Sequence, residues 1–165
     1  MWKKRNEWAV GGLTEIGFQP NTDLLLVLSS QGRGLFDCVK GEKIARNNNS
    51  IYAEICVEDT GKVKGIGILE GTTIQCGGFE FPDILSKTTN DGWTVKIQKE
   101  IRSNWELKEV LTDVMYLQNK QLNKEIEVNV FYYNINRAYG FSDTGNSFVI
   151  GTSSELKIWN RDKIK

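Results

Sequence analysis

The chain reads as a mainly β protein of antiparallel strands, and three observations lead there. Apolar or alternating runs of roughly four to eight residues recur between clusters of Gly, Pro, Asn and Asp along the 165 residues. Two stretches, 17–37 and 140–160, align without a gap, so one strand-turn-strand unit is present twice. Only a single segment, 104–118, carries the spacing of an amphipathic helix.

Taken in order, Trp8-Ala9-Val10 is a short apolar strand. Leu13 to Phe18 alternates, placing Leu13 and Glu15 on one face and Thr14, Ile16 and Phe18 on the other. Leu24 to Leu28 is uniformly apolar, as in a strand buried on both faces. Gly34 to Val39 follows, then the Lys40-Gly41 turn and Lys43-Ile44-Ala45. After the Asn47-Asn48-Asn49 loop, Ser50 to Glu58 alternates imperfectly, and Asp59-Thr60-Gly61 turns into Val63 to Leu69. Thr72 to Cys76 is the next strand; Pro82 and the Thr88 to Gly92 cluster mark a long loop. Trp93 to Gln98 and Glu125 to Val130 alternate cleanly.

The segment 104–118 reads in two ways. Ser103-Asn104-Trp105-Glu106 has the form of a capping box, with Leu107, Val110, Leu111, Val114 and Leu117 on one helical face. The other reading is two strands, Lys108 to Leu111 and Val114 to Gln118, turning at Thr112-Asp113. The helix is the preferred expectation.

Size and composition predict one domain over 1–165 with a substantial core. Lys plus Arg equals Asp plus Glu at 21 each, so no basic field points to nucleic acid. The N-terminus lacks the apolar region of a signal peptide, and no run is long enough for a membrane span. Cys38, Cys56 and Cys76 are odd in number and unpaired in spacing, as in a reduced cytoplasmic protein. Without histidine, a Ser-His-Asp or Cys-His nucleophile and a histidine zinc site are excluded. Neither a metal nor a cofactor is expected.

In the aligned stretches, Gly17, Phe18 and Ser30 recur as Gly140, Phe141 and Ser153. Leu35-Phe36-Asp37 recurs as Ile158-Trp159-Asn160. This unit resembles a WD-repeat blade of a β-propeller, in which an aromatic-aspartate pair closes the third of four strands; Phe36-Asp37 and Trp159-Asn160 match it. The Gly-His dipeptide of that family is missing and neither copy has the full Trp-Asp pair. The resemblance implies a small ring of about four blades, at about 41 residues each, closed by the N-terminal strand. A β-barrel or β-sandwich with two similar hairpins packed symmetrically is the alternative.

Candidate chemistry is sparse. The glycine-rich stretch Gly61 to Gly71 fits neither the dinucleotide nor the Walker A spacing and reads as a hairpin. Glu80 with Asp83, and Glu58 with Asp59, are pairs by proximity alone. Lys3, Lys4 and Arg5 would meet Arg161, Lys163 and Lys165 if the terminal strands pair. Aromatics are the better signal: Phe79, Phe81 and Trp93 bracket the long loop. These three with Arg33 are the expected contact surface of a non-enzymatic module that binds a protein partner through loops. A bacterial neutralising or immunity-type protein is one setting, by class analogy. The rival is a small-molecule or carbohydrate binder, or a carboxylate-dependent hydrolase. The first predicts exposed aromatics, the second a concave pocket with a perturbed carboxylate.

Overall fold

The computed structural model describes residues 1–132 and 136–161. Their strands are β1 (Trp2–Ala9), β2 (Leu13–Phe18), β3 (Leu24–Ser29), β4 (Gly32–Asp37), β5 (Glu42–Asn47), β6 (Cys56–Val57), β7 (Lys62–Lys64), β8 (Thr73–Gln75), β9 (Gly77–Gly78), β10 (Thr94–Ser103), β11 (Glu109–Asn119), β12 (Lys124–Phe131), β13 (Asn136–Phe141), β14 (Ser147–Thr152) and β15 (Glu155–Arg161). The protein is mainly β and its paired strands run antiparallel; they form four sheets and no closed barrel among the described residues. In stacking order these are sheet I (β6-β7-β8), sheet II (β5-β4-β3-β2-β9), sheet III (β1-β15-β14-β13) and sheet IV (β10-β11-β12).

Three buried apolar clusters hold the stack together. Leu26, Leu28 and Leu35 of sheet II face Val63, Ile74 and Cys76 on the side of sheet I. From the opposite face of sheet II, Leu25, Val27 and Phe36 meet Val149, Leu156 and Ile158 of sheet III. Phe148 and Ile150, on the far face of sheet III, meet Met115, Leu117 and Val128 of sheet IV. Sheets II and III are therefore buried on both faces, which is why Leu24 to Leu28 is apolar without alternation. Among the described residues no such cluster joins sheet I to sheet IV.

The strand bounds of β2, β3 and β4 recur 123 positions later in β13, β14 and β15, with β15 one residue longer. Backbone bonds recur too: Gln19 N to Leu24 O has its counterpart in Ser142 N to Ser147 O, and Cys38 N to Asp23 O in Arg161 N to Asn146 O. The repeated glycines sit where backbones touch. A Cβ on Gly17 would lie 2.1 Å from the Gln75 carbonyl oxygen, and one on Gly140 would lie 2.5 Å from that of Ser86. Asp37 accepts the N–H groups of Val39 and Lys40, so it shapes the turn into β5. Asn160 instead donates to Ser147 Oγ. Phe18, Phe36 and Phe141 are core residues, and Trp159 packs against the core between sheets III and IV. The fourth strand of sheet III is β1, paired with β15 from Trp2↔Arg161 to Ala9↔Glu155.

Several sequence expectations are corrected. The segment 104–118 is not a helix, nor two strands turning at Thr112-Asp113. It is a tight turn followed by β11, which pairs along its length with β10 and over 113–119 with β12. Asn104 makes the turn, its Oδ1 accepting the N–H groups of Glu106 and Lys108. Val110, Thr112 and Val114 are β-branched, and two flanking partners outweigh a helical spacing. β1 begins at Trp2 rather than Trp8, because the outer strand of a sheet can be as polar as Lys3 to Glu7. Ser50 to Glu58 contains one helical turn, Tyr52–Ile55, before β6. In β2 the pairing shifts between Leu13 and Glu15. This bulge puts Leu13 in the same core as Ile16 and Phe18 and turns Glu15 to the opposite face.

Candidate functional site

The four residues expected to form one contact surface do not come together. Trp93 is buried, edge-on to Trp2 at 5.9 Å between sheets III and IV, so it offers a partner almost nothing. Arg33 is buried as well and donates to the Lys64 carbonyl oxygen at 2.7 Å, tying β4 to β7. Phe79 is exposed and Phe81 half-buried. The Arg137 guanidinium stacks over the Phe79 ring at 4.5 Å.

Phe79 and Phe81 flank a cleft of about 650 Å³ between the start of β2, the end of β3 and the Tyr52–Ile55 turn. Its floor contains Glu15, only 3% exposed. Glu15 Oε1 accepts the Glu80 N–H at 2.6 Å; the nearby Phe79 and Phe81 amides favour the charged form electrostatically, the Phe79 N–H itself donating to the Thr14 carbonyl oxygen. Glu15 Oε2 is buried without a hydrogen-bond partner. Burial pushes the carboxyl above the usual carboxylate range, against those amides, and the Glu80 charge pushes the same way. Asp59, Glu80 and Tyr52 line the cleft beside it.

A second feature is the β10–β11 hairpin. Its Val95, Met115 and Leu117 pack on sheet III, but the same face continues past the core, where Ile101 stands opposite Leu111 with both two-thirds exposed. At the turn Trp105 is 77% and Leu107 86% exposed, and Leu107 has φ +60°, unusual for a bulky residue. The hairpin's charges neutralise one another: Lys99 pairs with Asp113, Arg102 with Glu100 and Lys108 with Glu106.

The remaining candidates are structural. Asp83 accepts from Lys87 Nζ and the Tyr139 N–H, fastening the long loop along β13. Asp91 takes a two-pronged contact from Arg161, which holds its carboxyl down at about 2. That occupies the one described cation expected from the C-terminal end of the terminal patch; Lys163 and Lys165 lie outside the described residues. Burial raises the Cys38, Cys56 and Cys76 thiols, the opposite of a reactive thiolate. Gly61 to Gly71 joins β7 to β8 as a hairpin with a 3₁₀ turn at Gly67–Leu69. Among the described residues no group of three or more Cys, Asp and Glu side chains could hold a metal ion. No helix there is long and apolar enough to cross a membrane.

Sequence reasoning missed Glu15, because strict alternation placed it beside Leu13. It missed Trp105, Leu107, Ile101 and Leu111 as a surface, because the helix reading hid the period of two over 94–119. No protein-family model matches the chain, and no curated protein matches it.

Proposed function

We propose that this chain is a non-enzymatic interaction module that engages a protein partner with the β10–β11 hairpin, rather than with Trp93 and Arg33. The observation that carries the reading is the apolar run at the hairpin's far end. Ile101, Leu111, Trp105 and Leu107 stand exposed on one projecting element. Single exposed hydrophobes are ordinary, but four on one element are not. Over 94–119 four basic and four acidic residues cancel. That balance favours burial in an apolar groove of a protein over an anionic membrane or nucleic acid, either of which needs a basic surface.

The scaffold reading that goes with it is propeller-like. In a symmetric sandwich, equivalent residues of the two copies would meet in the shared core. Here Leu25 and Val27 meet Val149, whereas their own equivalents, Phe148 and Ile150, face sheet IV. Such head-to-tail stacking of sheet II on sheet III is the relation between successive blades. β1 as the outer strand of the last sheet fits the same reading.

A photo-crosslinking residue placed at 105, and separately at the exposed position 68 in the 3₁₀ turn between β7 and β8, tests the assignment in the native host. The reading expects one abundant protein adduct from position 105 and none from 68. Adducts that are equal at the two positions, or absent from both, would overturn it.

A further inference from the structure

Independently of the hairpin, we infer that the cleft over Glu15 is a recognition site for a guanidinium group. Glu15 is almost wholly buried in the cleft floor, and its Oε2 has no donor. A buried carboxylate oxygen left without a partner is costly, so a ligand that brings an N–H to it gains more than an ordinary surface hydrogen bond. Asp59 and Glu80, both exposed at the rim, add negative charge and would attract a cation from solution. No basic residue lines this cleft. Its walls carry the rings of Tyr52, Phe79 and Phe81.

Flat aromatic faces beside a carboxylate favour a planar guanidinium over a compact ammonium, since the plane can stack while its fork meets the oxygens. The fold makes the same kind of contact once already, Arg137 over Phe79, with Arg137 outside the residues that line the cleft. Glu15 Oε2 is screened from solvent, so an entering ligand displaces the side chains that cover it.

The test is an NMR titration of the intact chain with butylguanidinium and, at matched ionic strength, with the neutral isostere butylurea. Saturable shifts of the Phe79, Glu80 and Phe81 amides are expected with butylguanidinium, with a Kd of roughly millimolar order for so small a ligand. Butylurea should bind at least about tenfold more weakly, the scale of one lost charge-assisted hydrogen bond. Glu15→Gln, which retains an acceptor for the Glu80 amide, should weaken butylguanidinium to a similar extent. Should that variant fail to fold, the rim double variant Asp59→Asn with Glu80→Gln serves instead and should reduce affinity several-fold. Equal binding of butylurea, no saturable shift, or an affinity unchanged by the carboxylate variants would each overturn the inference. A blocked Gly-Arg-Gly peptide separates the sources. Tighter binding than butylguanidinium supports the site as a reader of arginine side chains; equal or weaker binding supports it as a site for a small guanidinium compound.

Discussion

Glu15 and Arg33 stand opposite the same residue, Leu28, one on either side of it across β2, β3 and β4. Directly paired residues share a face, so both charges look toward sheet I with Leu28 between them. Two strand spacings, about 10 Å, separate their backbones, and the Arg33 guanidinium turns to the Lys64 carbonyl oxygen instead. Each keeps one unsatisfied buried atom, Glu15 Oε2 and Arg33 Nε, and Cys56 of sheet I lies within electrostatic reach of both. This row sets two buried charged side chains on the face of sheet II that Leu26, Leu28 and Leu35 otherwise present to sheet I.

Glu15 makes stability depend on pH in a defined direction. Burial raises its folded carboxyl above the ordinary value of about 4.3, so the folded chain keeps the proton to higher pH than the unfolded chain does. The contribution is complete below that ordinary value and is lost as pH rises through the folded one. Glu80, Asp59, Tyr52, Cys56 and Cys76 also surround the site; the two thiols and the phenol are raised and titrate far above this window. Urea unfolding between about pH 4 and 8 should show the wild type losing ground to Glu15→Gln as pH rises, then a constant difference. A difference independent of pH would refute this.

The tryptophans divide by role. Trp93→Ala empties a site packed against Trp2 and should cost about 3–5 kcal/mol in denaturant unfolding. Trp105→Ala removes an exposed ring and should change stability by less than about 0.5 kcal/mol. Comparable losses would mean that Trp105 is part of the core.

Both repeated glycines should resist substitution for the same steric reason. Gly17→Ala and Gly140→Ala drive a methyl against backbone carbonyls, at a cost of about 1–3 kcal/mol, whereas Gly11→Ala meets nothing within 4 Å and should be near neutral. Thermal unfolding of the three variants checks the ranking.

Asp91 ties the long loop to β15 through Arg161. Its carboxyl is lowered to about 2. The stabilisation is therefore complete above its ordinary value of about 3.9 and disappears as pH falls through the folded value. Because the side chain is 56% exposed, Asp91→Asn should cost at most about 1 kcal/mol near neutral pH. The cost should vanish in acid, as acid-dependent unfolding would register.

What was legible in the sequence was the strand content and the central strand Leu24 to Leu28, because burial on both faces leaves a run without alternation. The strand pattern of 17–37 and 140–160 was legible for the same reason. The hairpin was not, since Leu107, Val110, Leu111, Val114 and Leu117 satisfy a helical period as well as many true helices do. Only the long-range pairing of β11 with β10 and β12 decides between the two. Glu15 was hidden by a single-residue bulge, which reverses the faces of a strand and leaves no mark in its composition.

The most direct measurement of the central claim is calorimetric binding of the protein crosslinked at position 105, purified and titrated into the wild type and into Trp105→Ala with Leu107→Ala. The account predicts that the double variant, with unchanged thermal unfolding, binds at least about thirtyfold more weakly, the scale of an anchoring aromatic at an interface core. An affinity equal to that of the wild type would contradict the hairpin as the binding element.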